Sequence, residues 1–288
     1  MPLDEGYIDY VKDANDYAGP GDGGIIASGE EITADNLEAL NEANGDKNIS
    51  TGWNAIEFLL WGQDETAPSL NQAGNRPFTD YTTLVNADRR KEYLNVVTQM
   101  LVDDLEKLVD TWANGGTYNT VFKALSVEEA LTNMATGPYF LASEELSNER
   151  MLASATSDGG INQSGQEDEH SCFADNTHRD VFTNALGIQN VLLGEFADGN
   201  IEDQDASLYG LIKDVDPAQA QKLKQAVQAA MYAMVVIDNK YNAGEHYDYL
   251  ITLESETNPG PVIDGYNALK TLGEVINESL QKLGIYLI

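Results

Sequence analysis

Asn54 and Glu57 stand three residues apart inside GWNAIEFLLWG (52–62), a segment that is otherwise almost wholly apolar. On a helix the two share a face, and an amide with a carboxylate on one face could hold a cation or a polar ligand. A carboxylate placed in such a segment must be compensated, because burying it alone is costly. The bland alternative is an amphipathic helix with a wet Asn/Glu stripe, but Phe58, Leu59 and Trp61 leave little of the circumference polar.

A second constellation is EDEHSCFADNTHRD (167–180), which places two of the three histidines among carboxylates. Asp175 and His178 are spaced i, i+3 at the start of a helix. Imidazole and carboxylate together could ligate a metal, with Glu57, Asp175 and His178 as the candidate metal ligands of the chain. Equally, Asp175 could cap the helix and orient His178. His246, in GEHYDY, has no comparable company and reads as a surface residue. There is no HExxH, paired CxxC, phosphate-binding loop or GxSxG nucleophile motif in the sequence.

The elements that would position these groups are helices. Leu94, Val97, Leu101, Leu105, Leu108 and Trp112 recur at helical steps and are expected to form one face of a long helix ended by Gly115-Gly116. A second helix is expected over about 126–155 and a third over 175–196. Asp216-Pro217 is a cap with proline at the first helical position, followed by Leu223, Val227, Ala230, Met234 and Ile237. Pro261 opens another, with Leu269, Leu272, Ile276 and Leu280 on one side. No run alternates with period two. The fold class is therefore all-α, as two antiparallel helical bundles. The glycine-rich joint at 113–118 divides residues 1–115, the bundle with the Asn54/Glu57 motif, from 116–288, the bundle with HSCFADNTH. A second joint at 157–165 reads as a long loop. Three helices are expected before the first joint and four after it, so the first bundle looks truncated. Both IEFLLWG (56–62) and QNVLLG (189–194) end a helix with paired leucines before glycine. This hints at an internal repeat, although shared helix chemistry could produce it.

Charge narrows the partners. Sixteen basic residues against 48 acidic give a net charge of −32 over 288 residues. Such a surface repels nucleic acid and anionic membranes. The remaining classes are a metal ion, a small ligand or a surface partner protein. The one cysteine, Cys172, cannot form an intrachain disulfide. The N-terminal residues lack the pattern of a signal peptide, and no apolar run has the length of a transmembrane segment.

GWNAIEFLLWGQD resembles the signature of imelysin-like proteins, GxHxxE followed by FLLWGQD. EDEHSCFADNTHRD resembles their second-domain segment, PLDEGYIDYV (2–11) their N-terminal one, and Glu149-Arg150-Met151 a further motif. The resemblance implies two helical bundles with the motif helix of the first facing the second. It implies a place in the periplasm or at the cell surface, often as a lipoprotein, and a link to iron acquisition. It further implies a ligand site between the bundles, built from Asn54, Glu57, Arg150, Asp175 and His178. Some members are named insulin-cleaving metallopeptidases, others iron-regulated proteins. An HxxE motif lacks the second histidine of HExxH, so peptidase chemistry does not follow from it. Here the motif histidine is Asn54, a much poorer ligand, so any binding of iron or zinc is expected to be weakened. A metal-dependent hydrolase and a non-catalytic surface interaction protein stand as alternatives to a cation-binding protein. Relatives usually carry a signal sequence and helical material ahead of PLDEGYIDYV, the segment expected to be missing here.

Overall fold

The computed structural model describes residues 3–12, 23–156, 164–194 and 206–287. Residues 157–163 of the second glycine-rich joint lie outside them, as does Phe196. Helices dominate, and among the described residues the only extended pairing is an isolated bridge between Ser255 and Asn258. The chain forms two compact units. One comprises Met1–Thr120 with Ser171–Asp175, the other Val121–His170 with Asn176–Ile288.

In the first unit short helices α1 (Glu5–Ile8), α2 (Gly24–Ala27) and α3 (Ala34–Leu40) precede the motif helix α4 (Gly52–Trp61) and the long α5 (Ala87–Trp112). Helix α4 buries Ala55, Phe58 and Leu59, a spacing that makes one narrow stripe. It joins Ile8, Ile26, Leu37, Tyr93 and Val97 in a single apolar core. Thr51 is the N-cap residue of α4, but its hydroxyl donates to Asn41 Oδ1 (3.2 Å). Ser50, fully buried, donates instead to the Leu37 carbonyl (2.6 Å). Neither hydroxyl caps the helix; both tie it to the end of α3. Helix α5 buries only Ala87, Arg90, Tyr93 and Val97, all in its first half. The stripe read as one face of this helix is exposed beyond that point, at Leu105, Leu108 and Trp112.

Helix α6 (Thr117–Ala124) leads into the second unit. There α7 (Val127–Phe140) starts with a full capping box between Ser126 and Glu129. It runs into a π-helical stretch, Leu141–Leu152, and a last turn, α8 (Ala153–Thr156). A short α9 (Ser164–Glu167) is followed by α10 (Thr177–Leu193), which stops at Gly194 in the left-handed conformation. Helices α11 (Leu208–Val215), α12 (Pro217–Asn242), α13 (Tyr247–Leu253) and α14 (Pro261–Lys282) complete the unit. Asp216 caps α12 by accepting from Gln219 N (3.1 Å), as its sequence position implied. Helix α14 meets the π-helical stretch through glycine: a β-carbon on Gly273 would lie 2.8 Å from Ser143 Cβ. Close approach also lets Lys270 donate to the Ser143 carbonyl (2.7 Å), one of the groups that π-helical bonding leaves differently placed.

Candidate functional site around the motif helix

Asn54 and Glu57 occupy the first two turns of α4, and both are half-buried. Glu57 Oε1 accepts the backbone N–H of Ala174 at 2.9 Å. An ionised carboxylate receiving an amide makes a strong hydrogen bond, so the compensation that the sequence demanded is supplied in part by main chain. The receiving segment, Ser171–Asp175, is inserted in the first unit's core. Phe173 is buried against Phe58, with ring centroids 5.2 Å apart, and its carbonyl accepts from Gly74 N (2.9 Å). Asp175 follows, buried and at φ 52°, a left-handed conformation uncommon outside glycine and asparagine. It is not the helix cap; that position falls to Asn176. The structure thus brings Glu57 to the residue that precedes Asp175.

Below the motif helix lies a charged network that sequence reading missed. Arg90 clasps both oxygens of Asp9, from Nε (2.7 Å) and Nη2 (2.9 Å). Arg76 bridges Asp9 (2.8 Å) and Asp80 (3.0 Å) through Nη1, and Tyr10 donates to Asp80 Oδ2 (2.7 Å). All four charged side chains are almost wholly buried, and two cations balance two anions. Arg76 also reaches the Phe58 carbonyl from Nε and Nη2, both at 3.3 Å, and covers the Phe58 ring at 4.9 Å. The network therefore fixes the C-terminal end of the motif helix. Tyr81 donates to the Leu59 carbonyl, and burial pushes its hydroxyl pKa up to about 12. A cleft of about 190 Å³ opens beside this end, lined by Phe58, Trp61, Gln63, Asp64 and Arg76 among others.

The remaining predicted residues belong to the second unit. Arg150 lies in the π-helical stretch and pairs with Glu145. His178 is buried in the first turn of α10, stacked flat on Tyr241 with centroids 3.6 Å apart, and its Nε2 is 3.9 Å from Asp238 Oδ1. His246 does not stand apart on the surface: it stacks on the Tyr241 ring at 4.4 Å and begins α13. An aromatic residue next to the last position of α12, Tyr241, was the available signal for this pairing. His170 Nδ1 meets Asp180 Oδ2 at 2.8 Å.

The first unit contains no histidine, because residues 170, 178 and 246 all belong to the second. On the motif helix the side-chain donors are the Glu57 carboxylate and the Asn54 amide oxygen. That set suits a hard cation better than iron or zinc, which prefer imidazole or thiolate.

The fold is all-α, in two compact helical units. The chain belongs to the imelysin family, whose family model matches residues 1–274. A solved structure described as an iron-regulated protein A precursor, from Parabacteroides distasonis, is similar to it. The two are 16% identical with a TM-score of 0.63, covering 90% of this chain and 70% of that one. At that identity the likeness concerns the fold. No curated protein matches the sequence.

Proposed function

We propose that this protein is a non-catalytic, extracytoplasmic binding protein concerned with iron or another cation, and that Asn54, Glu57 and Asp175 form the core of its site. The observation that carries this reading is the 2.9 Å bond from Ala174 N to Glu57 Oε1, which holds the motif helix and the Asp175 segment together. Family membership and the description of the Parabacteroides protein as iron-regulated support the link to iron. Arg150 and His178 are kept as further candidate ligand groups. A hydrolytic role is disfavoured, since a catalytic zinc needs three protein ligands and no imidazole accompanies Glu57 on its helix.

The test is calorimetric titration with ferrous iron, zinc and calcium in buffer free of chelators. The unmodified protein should bind iron and zinc only weakly, and a lack of binding for all three cations would overturn the proposal. Asn54→His should strengthen binding, because imidazole and carboxylate then project from one helix face. Adding Glu57→Gln to that variant should abolish the gain. Tight binding that ignores both substitutions would place the metal elsewhere and overturn the proposal.

A further inference from the structure

The C-terminal half of α5 carries an exposed apolar face. Val102, Leu105, Leu108, Val109 and Trp112 are 43%, 43%, 55%, 69% and 49% exposed. At 100° per residue these five and Leu101 fall within an arc of about 120°. Of the residues buried at the other end of α5, Ala87 and Arg90 fall within that arc, and Val97 and Tyr93 lie about 20° and 60° beyond its edge. The apolar face that packs into the core thus runs on into solvent. From Leu101 to Trp112 it is about 16 Å long, three helical turns. Trp112 is held edge-on by Tyr118, with centroids 4.7 Å apart, which gives the stripe a fixed aromatic end.

We propose that this face docks an amphipathic helix of another protein, one that carries basic residues beside its apolar stripe. Leucines at i, i+4 and i+7 make the ridge that a second helix packs against. Charge decides the character of that helix. Asp104 borders the apolar arc on one edge and Glu106 on the other, and both are exposed. A second copy of this chain would set these acids against the same acids, on a molecule of net charge −32. An anionic membrane is repelled for the same reason. A basic helix meets opposite charge on both edges and is drawn in by the whole protein's field.

The probe is a fluorescein-labelled Leu/Lys peptide about five turns long, helical in isolation by design, with a Leu/Glu peptide of the same apolar stripe as control. Anisotropy should show saturable binding of the Leu/Lys peptide to the full chain and none of the control. Leu105→Ser with Leu108→Ser should weaken binding by at least about tenfold, the loss of two buried leucines at a helix interface. Both positions are exposed, so circular dichroism should be unchanged. Asp104→Asn with Glu106→Gln should weaken it as well and flatten its salt dependence. No binding, or binding equal in the double-serine variant, would overturn the proposal, the latter by reducing it to bulk charge attraction. Dimerisation of the unmodified chain in sedimentation, lost in the double-serine variant, would overturn it in favour of a second copy.

Discussion

Arg90 and Asp9 are 81 residues apart in sequence, yet the guanidinium grips both carboxylate oxygens, at 2.7 and 2.9 Å, with neither side chain reaching solvent. Removing one partner strands the other charge in the core. Asp9→Asn should therefore destabilise the protein by about 3–5 kcal/mol, whereas a surface pair is worth at most about 1 kcal/mol. Urea unfolding followed through the tryptophans, compared with Lys12→Ala at the exposed Lys12–Glu65 pair, measures the contrast. Equal, small losses would show that water already compensates Asp9.

The bond between Glu57 and Ala174 predicts a graded response. Glu57→Gln keeps an acceptor for the amide and should cost little stability. Glu57→Ala removes it and should cost about 1–3 kcal/mol. Hydrogen exchange at the Ala174 amide should accelerate in the alanine variant and stay slow in the glutamine one.

Gly273 and Gly187 should respond to alanine with opposite signs. A β-carbon at Gly273 would meet Ser143 at 2.8 Å and its backbone at 3.2 Å, so Gly273→Ala must push α14 off the π-helical stretch. The cost should be about 1–3 kcal/mol. Gly187, within α10, has nothing within 4 Å of that position, and Gly187→Ala should gain up to about 1 kcal/mol from helix propensity. Thermal melting of the two variants decides it.

Glu254 accepts three main-chain amides at the start of α14, from Gly260 (3.2 Å), Val262 (3.1 Å) and Ile263 (2.9 Å). Burial raises its pKa above the ordinary 4.5, against the lowering effect of those amides. The folded state then holds this proton more tightly than the unfolded chain. Glu254's contribution to stability is fullest at low pH and falls as pH climbs from 4.5 through the folded pKa. Carbon-detected NMR titration should give a midpoint above 4.5; one below it would mean that the amides outweigh burial.

Long amphipathic elements were legible. Leu223, Val227, Ala230, Met234 and Ile237 are buried on α12, and Leu269, Leu272, Ile276 and Leu280 on α14, as their spacing implied. The stripe on α5 marked the helix but not its surroundings, since helical periodicity records an apolar face and not whether anything covers it. The Asp9–Arg76–Asp80–Arg90 network was not read from the sequence, although one sign of it was there. Arg90 falls on the apolar phase of α5, with Ala87, Tyr93 and Val97, in a chain with few cations to spend. The place of Phe173 in the first unit's core was beyond reach. Five residues have no periodicity, and their partners Phe58 and Gly74 are about a hundred positions away.

That inserted segment also orders events in time. The first unit takes Phe173 into its core and Ala174 onto Glu57, yet the residues on either side of Ser171–Asp175 belong to the second unit. A fragment ending at residue 120 lacks part of its own interior and should expose Phe58. During synthesis the unit begun by the first residues stays unfinished until the ribosome has passed residue 175, so its slow, long-range closure waits on chain made long afterwards.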